Sequence, residues 1–195
     1  MERAKKSGSA IFMYCVIAVA VVVSAVCFGL YYSGKTDNAA VLWTGVTFFT
    51  IMYHFWGRII LGNVTKLFPI HYSQAWFRER PFEKKLYRLL RVRKWKGKAL
   101  TYNPELFSVK DRTLEQIAVT MAKVEVDHWV NELISLSTLL FGVIWGEMWI
   151  FTFTAVFAML FDGQFICIQR YNRPRVLKAL AREKRLADRA GRTDV

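Results

Sequence analysis

The chain has 195 residues, 54% hydrophobic and 15% aromatic, with 28 Lys or Arg against 15 Asp or Glu for a formal charge of +13. Its apolar residues gather in blocks of about 20, the thickness of a bilayer's hydrocarbon core, which excludes an ordinary soluble domain and leaves no reason to assign the basic excess to nucleic acid. Cys15, Cys27 and Cys167 all fall inside apolar runs without CxxC spacing or His neighbours, so neither a disulfide framework nor a metal site is expected.

In chain order, Arg3, Lys5 and Lys6 precede a first apolar run, 11–32, that carries no charge over 22 residues. It outlasts the short apolar part of a signal peptide and continues into Phe28, Tyr31 and Tyr32, so a retained transmembrane helix is expected. Residues 33–38, SGKTDN, form a turn, and 39–62 supplies a second apolar run that completes a helical hairpin. Near its end His54 and Arg58 stand four residues apart, on one helix face.

The only sizeable polar region is 63–127, with 14 Lys or Arg against 7 Asp or Glu. Pro69, Pro81 and Pro104 punctuate it, which predicts several short helices rather than one rod. Within it the stretch 76–98, WFRERPFEKKLYRLLRVRKWKGK, carries ten basic residues and two Glu. Trp76, Phe77, Phe82, Leu86, Tyr87, Leu89, Leu90, Val92 and Trp95 are threaded through it at spacings that recur near three or four residues, the pattern of a basic amphipathic belt on lipid phosphates.

A third apolar segment, 128–145, is interrupted by Glu132; Gly146 and Glu147 break the chain, and the fourth segment, 148–168, encloses Asp162. An acid within such a segment faces protein or water rather than lipid. The tail 169–195 carries nine Lys or Arg against three acids. The short connections hold few cations, so the positive-inside rule puts both termini and the basic belt in the cytoplasm. The expected fold is a single all-α membrane domain, a polytopic bundle of about four transmembrane helices.

Three polar groups converge at one depth in that topology: His54 with Arg58, Glu125-x-x-His128-Trp129, and the run from Gln169 to Arg175. An imidazole held in one tautomer by a carboxylate acts as general base toward a hydroxyl, and arginines offer forked donors to a phosphate or a developing oxyanion. That chemistry suits acyl transfer to a lipid-linked alcohol, with the acceptor's own oxygen as nucleophile. The plainer roles are also open: Trp129 and His128 as interfacial anchors, and the tail arginines as contacts to lipid phosphate.

The run RERPFEKKLYRLLRVRKWKGK, then VEVDHW at 124–129, then ICIQRYNRPRVLKAL at 166–180, resembles the glycosyl-4,4'-diaponeurosporenoate acyltransferase family of small bacterial membrane proteins. The resemblance implies an enzyme that transfers a fatty acyl group to a sugar hydroxyl of a glycosylated carotenoid acid or related glycolipid, in the bacterial cytoplasmic membrane. The residues that match are Arg93, Lys94, Trp95 and Lys96, then Glu125, His128 and Trp129, then Gln169, Arg170, Tyr171, Asn172, Arg173, Pro174 and Arg175.

The resulting expectation has His128 as base with Glu125 orienting it, His54 and Arg58 lining the same cavity, and Arg173 and Arg175 binding the anionic donor or acceptor. No cofactor is expected; the acyl donor, acyl-CoA or acyl carrier protein, enters as co-substrate. The partners are membrane lipids and the lipid-linked acceptor. Two alternatives keep the architecture: a small lipid methyltransferase using the RYNRP element, and a non-enzymatic polybasic membrane scaffold.

Overall fold

A computed structural model describes residues 8–99 and 104–193, and the basic residues Arg3, Lys5 and Lys6 lie outside them. The described residues contain no strand. Seven α-helices follow one another: α1 (Gly8–Tyr32), α2 (Ala39–Val64), α3 (Glu83–Leu89), α4 (Val92–Trp95), α5 (Leu114–Ser137), α6 (Leu139–Trp145) and α7 (Met148–Thr193), with single 3-10 turns at Thr65–Leu67, Ala75–Phe77 and Pro104–Phe107.

The first hairpin forms where it was expected. Asn38 caps α2, its Oδ1 accepting from the Ala40 amide at 2.8 Å. The α1 and α2 backbones approach closely at Gly45, where an added Cβ would stand 3.0 Å from the Phe28 ring. The outward side chains of α1, among them Phe12, Val19, Val22 and Val26, are exposed. An apolar surface of this extent is what a bilayer covers.

Between 65 and 113 the described residues form only short helices, in keeping with the prolines there. The third apolar segment departs from expectation. It is not a separate helix starting at His128: α5 begins at Leu114, where Thr113 and Gln116 form a reciprocal capping box, and runs to Ser137. After a step at Thr138 the chain continues as the short α6. Among the described residues three helices are long and apolar enough to cross a membrane, lying within Ile11–Tyr32, Ala39–Leu67 and Met148–Ala190, and α5 is not among them. The reason is chemical, since Lys123, Glu125, Asp127, His128, Asn131 and Glu132 interrupt its apolar residues.

Nevertheless α5 and α6 together run alongside α7. Tyr53 of α2 shares a 2.6 Å hydrogen bond with Ser137, and Trp145 at the end of α6 donates to the Tyr32 hydroxyl at 3.0 Å, so the end of α6 lies beside the end of α1. Phe28, Phe49, Phe141 and Trp145 pack there as one aromatic cluster, with centroids 5.3–6.1 Å apart. Gly146 and Glu147 both take positive φ to turn the chain back into α7.

The tail is the second departure. It is no separate segment, because α7 is continuous for 46 residues, through Pro174 to Thr193. At 1.5 Å per residue such a helix is about twice as long as a bilayer core is thick, so its basic end stands clear of the apolar layer.

Candidate functional site: two ion clusters and two clefts

Opposite the aromatic cluster, α2, α5 and α7 bring their interrupting polar residues together. The first cluster centres on Asp162, whose side chain is 1% exposed. Its Oδ2 receives Arg58 Nη2 at 2.8 Å, and its Oδ1 receives Asn131 Nδ2 at 3.1 Å and lies 2.7 Å from His128 Nδ1. A carboxylate surrounded in this way is an acceptor only, so the bond fixes the imidazole with its proton on Nδ1 and leaves Nε2 as the basic nitrogen. The ring is further held flat against Phe165, with centroids 4.7 Å apart and planes 9° from parallel. His54, one turn before Arg58, is half-buried and within electrostatic reach of both Arg58 and Asp162.

Glu125 does not orient His128, which corrects the sequence expectation. It is fully buried one helical turn away and belongs to a second cluster. Its Oε1 accepts from Arg170 Nε at 2.8 Å and its Oε2 pairs with Arg173 Nη2. Arg170 reaches on to the carboxylate of Glu83 and to the Trp76 carbonyl, the latter at 2.6 Å. Glu83 in turn accepts from the Tyr87 hydroxyl at 2.8 Å. Burial raises the Tyr87 phenol above its ordinary range, and the neighbouring Glu83 carboxylate adds to the effect. In this position Tyr87 is a donor and not a base.

Arg173 is corrected for the same reason. At 1% exposure, with Phe77 and Met121 carbonyls at 3.3 Å and Glu125 around its guanidinium, it ties the 3-10 turn at Ala75–Phe77 to α5 and α7 and has no face for a ligand. Gln169 is also buried, its Oε1 unpaired.

The remaining expected residues fall into distinct places. Lys96 Nζ donates to Asn172 Oδ1 at 2.6 Å and lies over the Tyr171 ring, so the pair fastens α4 to α7. Burial lowers the Lys96 pKa, and the nearby charges of Arg175 and Arg93 push it the same way. Trp95 donates to the Leu90 carbonyl at 2.9 Å, closing its own turn. Arg93, Lys94 and Arg175 line a cleft of about 560 Å³ whose wall also holds Lys84, Arg88 and Arg91.

A second cleft, of about 410 Å³, lies on the other side of α3. Trp76, Phe82, Leu86, Leu90, Trp129 and Ile166 make it mainly apolar, with Arg170 and Glu132 at its margin. Trp76 and Trp129 meet edge to face across it, 6.0 Å apart. Tyr87 lines both clefts. Among the described residues no group of three or more His, Cys, Asp or Glu is placed to hold a metal.

Sequence reasoning left Asp162 outside the site, although an acid inside an apolar run was the signal for it. Tyr87 was legible only as an apolar residue of the belt, and Glu83 and Asn131 gave no signal, because each is an ordinary residue in a polar or mixed segment.

Residues 73–182, more than half of the chain, match the family model described as glycosyl-4,4'-diaponeurosporenoate acyltransferase. The match takes in both clefts, Glu125, His128 and Asp162, and leaves out the first hairpin. No curated protein and no solved structure matches the chain.

Proposed function

The chain belongs to the glycosyl-4,4'-diaponeurosporenoate acyltransferase family, and from that premise we propose that it is a membrane acyltransferase whose base is His128, held by Asp162. The observation that carries this reading is the imidazole fixed at 2.7 Å from a carboxylate that is itself buried and pinned by Arg58 and Asn131. Such a group inside an apolar helix pair is costly to maintain and marks chemistry rather than anchoring.

The acceptor is a hydroxyl of a glycosylated carotenoid or another lipid-linked sugar, and the donor is a fatty acyl thioester. His128 Nε2 takes the hydroxyl proton as the oxygen attacks the thioester carbonyl carbon. The C–O bond forms and the C–S bond breaks, and the imidazolium returns its proton to the departing thiolate, so ester and free thiol are the products. Asp162 stabilises the transient imidazolium, and the apolar cleft beside Trp129 takes the acyl chain. Here α5 and α6 complete a fourth crossing beside the three long apolar helices, which leaves both ends and the clefts at the cytoplasmic face of a bacterial membrane.

Lipid extraction and mass spectrometry on cells with the intact gene, without it, and with His128→Ala test the reading. One glycolipid or carotenoid class is expected to lose a fatty acyl mass in both altered strains. An unchanged set of acylated lipids in the deletion would remove the acyltransferase assignment. Loss in the deletion with retention in His128→Ala would remove only the base.

A further inference from the structure

The cleft of about 560 Å³ on the outer side of α3 is lined by Lys84, Arg88, Arg91, Arg93, Lys94, Arg175 and Lys178, against one acid, Glu79. Among the described residues the ion pair between Lys84 and Glu79, at 3.7 Å, is the one acidic contact these seven cations make. They are exposed, so the arrangement contrasts with Arg170 and Arg173, which lie against Glu83, Glu125 and backbone carbonyls in the interior. Clustering like charges in a concavity raises the free energy of the empty protein, and an anion relieves it.

The backbone is bent to build this concavity. Arg91, between α3 and α4, holds φ 50 and ψ 38, the left-handed region that a residue other than glycine seldom adopts. Val92 beside it is fully buried, and the Lys94 amide closes on the Arg91 carbonyl at 2.8 Å, which hold the turn in place. The reversal folds Arg93 and Lys94 back toward Arg88 and α7. Arg175 is laid across the Tyr171 ring at 3.7 Å, a stacking contact that fixes its guanidinium at the cleft wall.

Only the short helix α3 separates this cleft from the apolar one, and Tyr87 borders both. A ligand with a polyanionic head and a fatty tail therefore meets matching surfaces on either side of one helix. We propose that the basic cleft binds the nucleotide pyrophosphate head of a coenzyme A thioester, which makes coenzyme A rather than a carrier protein the donor's handle. This rests on the acyltransferase reading above and deepens it. Seven cations in one concavity exceed what the single phosphodiester of a carrier-protein arm or of a bilayer phospholipid would neutralise, and they suit three phosphates on one small molecule.

The test uses the full chain in nanodiscs of phosphatidylcholine and measures binding of coenzyme A, dephospho-coenzyme A and 4'-phosphopantetheine by calorimetry. Arg88→Gln with Arg91→Asn removes two exposed charges and keeps a residue that tolerates the left-handed turn. Lys110→Gln with Lys123→Gln removes two charges elsewhere. Coenzyme A is expected to bind more tightly than the other two ligands. The cleft pair should weaken it roughly 10-fold or more, as loss of charged hydrogen bonds does, while the distant pair leaves it within about twofold, the margin of surface changes.

Equal binding of phosphopantetheine, no binding of coenzyme A, or coenzyme A binding that the cleft pair does not move would each overturn the proposal. So would an effect of that pair seen only as weaker association with phosphatidylglycerol vesicles. The lipid profile of the deletion strain is read separately. Loss of an acylated lipid without coenzyme A binding keeps the transferase and removes this site, whereas binding through the cleft with no lipid change keeps the site and removes the transferase.

Discussion

Two ion clusters sit one helical turn apart on α5, each a buried carboxylate paired with arginine and each facing α7, and they differ in what they leave free. Around Glu125 every charged group has a partner inside the protein: two arginines, a second glutamate, a tyrosine and three backbone carbonyls bond to one another, and the one polar atom left over, Arg173 Nε, is buried. Around Asp162 the carboxylate is equally buried, but one partner is an imidazole 20% exposed, with a nitrogen outside the network. The first arrangement holds helices together, and the second holds an imidazole with one ring nitrogen left over for the base role proposed above. Burial of charge alone does not distinguish a site from a brace; the presence of an unsatisfied group that can move a proton does.

The two clusters should differ most at Glu125. Replacing it with Ala leaves the buried Arg173 guanidinium with no carboxylate and takes one of two from Arg170, and breaking a buried ion pair from one side costs about 3–5 kcal/mol. Glu125→Ala protein is expected to melt far below the parent in detergent, or not to accumulate. If it melts with the parent and is only inactive, Glu125 belongs to the chemistry. His128→Ala should invert the pattern, losing about 10²- to 10⁴-fold in acyl transfer, the usual contribution of a general base, with a smaller fall in melting temperature than Glu125→Ala because Asp162 keeps Arg58 and Asn131. Asp162→Asn keeps the shape, removes the charge that stabilises the imidazolium, and is expected to lose activity in the same direction. A variant of either residue that melts early and transfers normally when folded would make the Asp162 cluster a second brace.

Arg173→Lys sharpens the same contrast at smaller scale. A single ammonium cannot serve Glu125 and two carbonyls in the fork that a guanidinium does. A loss of about 1.5–3 kcal/mol in stability is expected, the range for a hydrogen bond to a charged group. The substrate dependence of the remaining activity should stay the same. A raised KM with full stability would return Arg173 to substrate binding.

The sequence made some of this legible and hid the rest for a physical reason. The hairpin, the broken basic belt and the polar convergence at one end follow from runs, prolines and charge, which are local. The partner of His128 is not local. Glu125 lies one turn before it on the same helix, a spacing that puts the two on adjacent faces without making them bond, and the acid that bonds to the ring comes from α7, 34 residues on. The length of α5 was hidden by the same polar residues, which lower its hydropathy while the capping box at Thr113 sets its start far upstream. The family match covers the region of both clusters, and it assigns a reaction class without saying which residue does what.

The mildest expected effect lies at the other end of the bundle and serves as the control for the variants of both clusters. Trp145 donates one hydrogen bond to Tyr32 and stacks on Phe28 with centroids 5.6 Å apart. Trp145→Phe keeps a ring in that place and removes the donor, so a loss of about 0.5–1.5 kcal/mol is expected, the net value of one such bond. Acyl transfer per folded molecule should stay the same, because no charged or proton-bearing group of either cluster touches this end. A change in transfer from a lesion so remote would mean that the aromatic end sets the spacing of α5 and α7 at Asp162. The two ends would then be one mechanical unit, and the His128 and Glu125 variants would have to be read through helix position before being read as chemistry.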